Sequence, residues 1–286
     1  MKKPRAVVVG AGGIAAAWFP PLIREKVDIA AVVDLNRDAA AARVTQYGLD
    51  AQASDDLPGT LHRTKPDFVV DLTIPEAHCD VTCTALKADC HVIGEKPMAA
   101  TMAQARKMVR TAEKTGKLYM VSQSRRWNPA FTAAQRVIDK GMIGSLTTIN
   151  CDFYIAPHFG GFRDEMPSPL ILDMAIHHFD LARYVSGCNP RRMYACEFNP
   201  AGSWYAGDVA ATCICKMNDG VVFTYRGSWC AEGCPTSWNG NWRFIGTEGT
   251  LLCDNDAWPR GERVAKKQGF MYPTKPLRVP RVSMSY

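Results

Sequence analysis

Residues 170–185, LILDMAIHHFDLARYV, set two acids and two histidines among apolar side chains. On a helix turning by ~100° per residue, Asp173, His177, Asp180 and Tyr184 fall within about 60° of one another. Leu172, Ala175, Ile176, Phe179 and Ala182 cover much of the rest. Such a polar stripe on an apolar helix either closes a buried hydrogen-bond network or lines a site. In a site, the imidazole of His177 would exchange a proton near neutral pH and Asp173 would orient it or bind a second hydroxyl. From the stripe alone the two readings are evenly matched. His178 points away from it and reads as a structural or surface residue.

Two further groupings bear chemistry. Gly10-Ala11-Gly12-Gly13-Ile14-Ala15 has the form G-x-G-x-x-A. Gly10 suits a tight turn, Gly12 a close backbone approach to a pyrophosphate, and small Ala15 close helix–strand packing. The motif is weak alone, but Ala6-Val7-Val8-Val9 before it is a buried-strand run and a helix follows, whose N-terminal amides would face the phosphates. A second apolar run, 29–33, ends in Asp34, near the ~20-residue offset at which an acid meets ribose hydroxyls. Asp34 would repel a 2′-phosphate, which favours NAD over NADP, while nearby Arg37 keeps NADP open as the alternative. Glu95-Lys96-Pro97 directly follows the run Cys90-His91-Val92-Ile93-Gly94. A lysine at the carboxyl end of a strand can reach a nicotinamide pocket, with Pro97 rigidifying the turn. An ordinary surface lysine is the competing reading.

The elements that must position these groups alternate. Strands are expected at 67–73, 90–93 and 118–121, with helices opened by Pro75-Glu76, containing His78, and by the capping box Thr101-Met102-Ala103-Gln104. Met102, Ala105, Met108, Val109 and Ala112 make one face of the latter, and Gly116 stops it. Strands separated by helices predict a doubly wound parallel sheet with its ligand crevice at the carboxyl ends. The cofactor contacts expected there are Gly10, Gly12, Gly13, Ile14, Asp34, Arg37, Thr73, Pro75, His78, Glu95 and Lys96. From about residue 145 the pattern changes to short β-rich segments at 146–149, 210–214, 220–225 and 242–245, which predict an antiparallel sheet around the 170–185 helix. The fold class is therefore α/β: a Rossmann domain over residues 1–123, then an α+β domain over 124–286.

The remaining features narrow the class. A chain of 286 residues with 47% apolar composition is enough for two cores. The net charge of +6 is spread among acids and reads as a solvated surface, not a nucleic-acid footprint. One basic, Pro-containing stretch, Arg260, Lys266, Lys267, Lys275, Arg278 and Arg281, reads as tail or linker. Met1-Lys2-Lys3-Pro4-Arg5 followed by apolar residues imitates a secretory signal, but Gly10, Gly12 and Gly13 interrupt it and Pro20-Pro21 closes it without a cleavage site. Eleven cysteines, an odd number with no CxxC or framework spacing, suit a reducing, cytoplasmic setting with free thiols. Neither Cys79 with Cys83 nor Cys213 with Cys215 has the neighbours to close a zinc site, so no metal is expected. No uncharged run approaches the ~20 residues of a membrane span.

The glycine motif, the Glu95-Lys96-Pro97 turn, Ser124-Arg125-Arg126-Trp127-Asn128-Pro129 and the D-x-x-x-H-x-x-D of Asp173, His177 and Asp180 together resemble the glucose-fructose oxidoreductase / inositol dehydrogenase (Gfo/Idh/MocA) family. The resemblance runs up to Ile245-Gly246-Thr247-Glu248-Gly249-Thr250. It implies a Rossmann domain followed by a domain with a large, open, mostly antiparallel sheet, often used for oligomer contacts. It also implies oxidation or reduction of sugars, inositols and related polyols. By the same resemblance Lys96 contacts substrate and nicotinamide, Asp173 joins it, His177 is the acid/base, and Arg126 and Arg163 bind substrate. Two departures stand out: Pro167-Ser168-Pro169-Leu170 replaces a glycine run before the motif Asp, and the basic tail replaces a helix that packs back on the fold.

The expected activity is hydride transfer between NAD(P) and a carbinol or carbonyl carbon, by a homo-oligomer acting on a small sugar or polyol without nucleic-acid or membrane partners. Two rivals are a glycosidase or lyase using transient oxidation by bound NAD, and a non-catalytic dinucleotide sensor whose substrate pocket Pro167-Ser168-Pro169 has closed.

Overall fold

The computed structural model describes residues 3–282, which form two compact units that divide between Ser122 and Gln123. Met1 and Lys2 of the basic start, and the last four residues of the tail, lie outside the described residues.

The first unit alternates strand and helix: β1 (Arg5–Val9), α1 (Ala15–Arg24), β2 (Asp28–Val33), α2 (Arg37–Gln46), β3 (Gln52–Ser54), α3 (Leu57–Thr64), β4 (Phe68–Asp71), α4 (Pro75–Lys87), β5 (His91–Gly94), α5 (Met102–Thr115) and β6 (Tyr119–Val121). Among the described residues these strands form a six-stranded sheet in the order β3-β2-β1-β4-β5-β6, every pair parallel. The order reverses beside β1, so the carboxyl ends of β1 and β4 flank the topological switch point where such sheets bind ligands. Successive β1 side chains serve opposite cores, because the strand period is two. Val7 and Val9 pack with Val33, Val69 and Leu86, whereas Val8 packs with Phe19, Val32 and Val70.

Helix α1 runs through Pro20 and Pro21 to Arg24. It lies early in the chain's first crossover, where burial of Ala15, Phe19 and Leu22 offsets the two missing amide donors. Helix α5 has the expected capping box and a Gly116 cap at φ +68°, but Met102 and Val109 are exposed. Its buried face centres on Met108, flanked by half-buried Ala105 and Ala112.

The second unit contains a 3-10 turn (Ser124–Trp127), α6 (Pro129–Asp139), β7 (Leu146–Tyr154), a 3-10 turn (Gly161–Arg163), a π-helical turn (Leu170–Ala175), α7 (Ile176–Ser186), β8 (Pro190–Phe198), β9 (Ala210–Met217), a 3-10 turn (Asn218–Gly220), β10 (Val222–Ser228), β11 (Asn241–Gly246), β12 (Gly249–Cys253), β13 (Arg260–Val264) and β14 (Thr274–Pro276). Among the described residues the sheet has eight strands, β14-β13-β12-β11-β7-β10-β9-β8, antiparallel except for β7 with β10. Burial alternates along β9 and β10, so one face of the sheet joins α6 and α7 in a core that includes Phe153, Tyr225, Trp242 and Phe244. Cys151, Cys213, Cys215 and Cys253 are small members of that core.

The basic stretch is not a tail. It supplies β13 and β14, which extend the sheet at its edge through antiparallel pairing of Leu251 with Gly261 and of Arg263 with Lys275. An edge strand is held by backbone pairing and tolerates charged side chains, so apolar periodicity fails to mark it. Leu277 then enters the core.

Candidate active site

In the first unit the glycine loop joins β1 to α1. Gly10 adopts φ +100°, and a Cβ there would lie 2.7 Å from the Leu72 main-chain carbon and oxygen, so the position demands glycine twice over. Around Gly12 and Gly13 nothing lies within 4 Å of an added Cβ; the loop is open on the side where a pyrophosphate would approach. Ile14 is the exposed N-cap, Ala15 is fully buried, and the first turn of α1 carries neither an acid nor a side-chain cap. The Ala15, Ala16 and Ala17 amides donate to the Gly12, Gly13 and Ile14 carbonyls, and these residues fit a dinucleotide through the open glycine turn and the positive helix end it leads into.

Asp34 directly follows β2 and grips the same loop. Its Oδ2 accepts from the Ala11 amide at 2.7 Å and its Oδ1 from the Asn36 amide at 2.8 Å. A carboxylate has about four lone-pair sites, so these two bonds leave capacity for ribose hydroxyls. Arg37 begins α2 and is exposed. Arg43, which sequence reasoning missed, clamps the loop from α2: its Nε donates to the Ala11 carbonyl and its Nη2 to the Gly12 carbonyl, both at 2.9 Å. Nothing in the local spacing marks Arg43; only the docking of α2 on the loop reveals it.

The ends of β4 and β5 are tied by buried polar groups. Asp71, fully buried, accepts from the Thr73 amide at 3.2 Å, the Thr73 hydroxyl at 2.6 Å and the Thr82 hydroxyl at 3.1 Å. Burial pushes its carboxyl up, opposed by nearby His78 and by these hydrogen bonds. Pro75 is the first residue of α4, and its carbonyl accepts from the Ala100 amide. His78, expected among the cofactor contacts, is only 1% exposed, and its Nδ1 and Nε2 each lie 2.9 Å from a carbonyl oxygen, of Pro97 and Thr73. Its place is a brace between two loops. Glu95 is likewise engaged: Oε1 accepts from the Trp18 indole at 2.7 Å and Oε2 from the Lys96 amide at 3.0 Å. The Lys96–Pro97 peptide is cis. Lys96 therefore sits on a turn fixed from both sides.

In the second unit the polar stripe divides among different partners. Asp173 lies in the π-helical turn and His177 in the first turn of α7, so the straight-helix phase does not relate them. Such turns are rare and recur at functional sites. Asp173 Oδ2 accepts from Arg163 Nε at 2.6 Å, and the Asp173 side chain is 13% exposed. His177 Nδ1 lies 2.8 Å from Gln123 Oε1. With that oxygen as acceptor the ring carries its proton on Nδ1, and Nε2 is the basic nitrogen. Asp180 belongs to another group: it takes Arg126 Nε at 2.7 Å and Nη2 at 2.5 Å, a two-pronged pair beside Tyr184. Arg126, expected on the substrate, has this pair as its anchor, which also holds its cation strongly. His178 is fully buried against Phe153 and Tyr225, and burial, then Arg125 and His177, pushes its pKa well down. It is structural.

The stretch Pro167-Ser168-Pro169 does carry a close approach, from the other side. Asp208 donates its amide to the Pro167 carbonyl at 2.8 Å and Ala206 to that of Asp164 at 2.7 Å. Between them, a Cβ on Gly207 would meet the Met166 and Pro167 carbonyl oxygens at 2.2 and 2.3 Å. The glycine that permits tight backbone packing before Asp173 thus sits on the opposing loop. Among the described residues no cluster of three or more His, Cys, Asp or Glu side chains is arranged to hold a metal.

Comparison with known proteins gives this arrangement its relatives. Residues 4–123 match the model described as the oxidoreductase family, NAD-binding Rossmann fold (GFO_IDH_MocA), and residues 131–252 match the GFO/IDH/MocA C-terminal domain. The chain belongs to this family. Two relatives are the 1,5-anhydro-D-fructose reductase of Ensifer adhaerens and the D-glucoside 3-dehydrogenase of Escherichia coli. The first is 26% identical over 256 residues, covering 87% of this chain and 75% of that protein. The second is 33% identical over 196 residues, 64% of this chain and 54% of that protein. An oxidoreductase from Agrobacterium radiobacter, solved with NAD+, L-tartaric acid and magnesium, matches all of this chain and 82% of its own at a TM-score of 0.84 and 20% identity, which shows the shared fold. The chain is thus an NAD-binding oxidoreductase of the Gfo/Idh/MocA family.

Proposed function

We propose that the protein oxidises or reduces a sugar, inositol or related polyol at a carbinol or carbonyl carbon. The observation that carries this reading is the Gln123–His177 pair, which sets one tautomer of an imidazole next in sequence to the π-helical turn bearing the Arg163–Asp173 ion pair. His177 takes the hydroxyl proton at Nε2. Asp173, steadied by Arg163, binds a second hydroxyl and orients the substrate. Lys96 stabilises negative charge developing on the reacting oxygen. The nicotinamide, when bound, supplies the hydride acceptor or donor. NAD is the preferred cofactor, because the Asp34 carboxylate at the end of β2 opposes a 2′-phosphate. The protein works as a homo-oligomer.

Fluorescence titration with NAD and NADP, followed by a panel of sugars, inositols and sugar acids, tests this directly. The reading expects tighter NAD binding and net cofactor reduction by at least one polyol. Sugar release without net reduction of added NAD would instead support transient-redox cleavage, and binding without any turnover would support a sensor.

A further inference from the structure

The loop that carries Arg163 also carries exposed aromatic rings that the reaction does not use. Phe159 is 43% exposed and Phe162 67%, and the Arg163 guanidinium lies 5.0 and 4.7 Å from their ring centres. Phe159 is backed by buried Trp229 at 5.4 Å and adjoins Trp238, itself 46% exposed, at 6.1 Å. The rings form a supported platform, since Trp229 belongs to the core. Exposed, contiguous aromatic surface of this kind marks a binding site when it sits beside polar groups that can orient a ligand.

Those polar groups are present. Arg163 spends its Nε on Asp173, while its Nη1 and Nη2 make no hydrogen bond among the described residues. Two guanidinium donors therefore emerge between aromatic faces, one ion pair away from the carboxylate assigned to substrate. The ligand that matches has an apolar C–H face for the negative face of a ring and hydroxyls along its edge for the donors. A pyranose has both. A polypeptide seated on the patch would cover the Arg163–Asp173 pair that the reaction uses.

We propose that Phe159, Phe162 and Trp238 form a second saccharide subsite, which stacks a pyranose ring glycosidically joined to the ring that reacts. The preferred substrate is a glycoside or oligosaccharide, larger than a free monosaccharide or inositol. This rests on the carbohydrate oxidoreductase reading above and adds to it where the rest of the substrate lies. Remote stacking contributes to the rate because binding energy gained away from the reacting carbon holds that carbon in place.

The test compares matched pairs, glucose with cellobiose and maltose and galactose with lactose, on the full chain and its Phe162→Ala and Trp238→Ala variants. Wild type is expected to favour a disaccharide over its monosaccharide in kcat/KM by about tenfold or more, a gap of the size one good aromatic contact supports. Each variant should lose about that factor on the disaccharide and stay within roughly twofold on the monosaccharide. Equal losses on both, or no disaccharide preference in wild type, would overturn the subsite and leave the oxidoreductase reading standing. If no sugar in the set is oxidised, tryptophan fluorescence decides: saturable quenching by a disaccharide, stronger than by its monosaccharide and weakened in Phe162→Ala, supports the subsite, and its absence overturns it.

Discussion

Nδ1 of His177 meets Oε1 of Gln123 at 2.8 Å, across 54 residues of sequence. With that oxygen as acceptor Nε2 is left as the basic nitrogen, and His177→Ala should lower kcat by at least about 100-fold, the usual scale of a lost general base, with NAD affinity unchanged. Gln123→Glu should move the acid limb of the pH–rate profile to higher pH, because a carboxylate at that contact favours the imidazolium and the base is needed neutral. A Gln123 with a merely structural part would leave the profile in place.

Arg43 holds two carbonyls of the glycine loop. Arg43→Ala should weaken NAD binding by about tenfold, about 1.4 kcal/mol, measured by fluorescence titration. Arg43→Lys should recover little, since one ammonium lacks the planar fork that spans both oxygens.

His78 joins the Thr73 and Pro97 carbonyls. His78→Ala leaves at least one main-chain acceptor without its donor in a buried place and opens a cavity, and a loss of about 1–3 kcal/mol in unfolding free energy of the first unit follows. Calorimetry should show that transition lowered. Turnover should fall with it at temperatures where the variant remains folded, because the Lys96 turn loses one of its ties.

His178 predicts an acid limit to stability. Its native pKa is pushed well below 6.5 by burial first and then by Arg125 and His177, while the unfolded chain titrates near about 6.5. Above that pH both states hold the ring neutral; below it only the unfolded chain binds the proton, so stability falls as pH drops from about 6.5 toward the depressed native value. In His178→Phe the melting temperature of the second unit should vary less between about pH 7 and pH 5 than in wild type. Parallel slopes would remove His178 from the acid sensitivity.

Much of the scaffold is legible in sequence because burial on both faces writes itself as unbroken apolar runs, as in β1, β2 and β4, and because Gly10, Asp34, Thr101 and Gly116 have local reasons to stand where they do. The three-residue edge strand β3, the exposed β8 and the half-buried, charge-rich β13 leave no such pattern, since backbone pairing defines them. At the site, residue types pick out Asp173 and His177, yet a 100° wheel gives them one face with Asp180, and the π-helical turn breaks that phase. The partners that give each side chain its part, Gln123, Arg43 and Gly207, come from distant segments and carry no local signal.

That His177 acts as the base at the reacting hydroxyl is tested most directly by the pH dependence of kcat in wild type and in His177→Ala. Wild type should lose turnover on the acid side as the imidazole is protonated, and His177→Ala should lack that limb and turn over at least about 100-fold more slowly. A His177→Ala enzyme with undiminished turnover, or with the same acid limb, would contradict it.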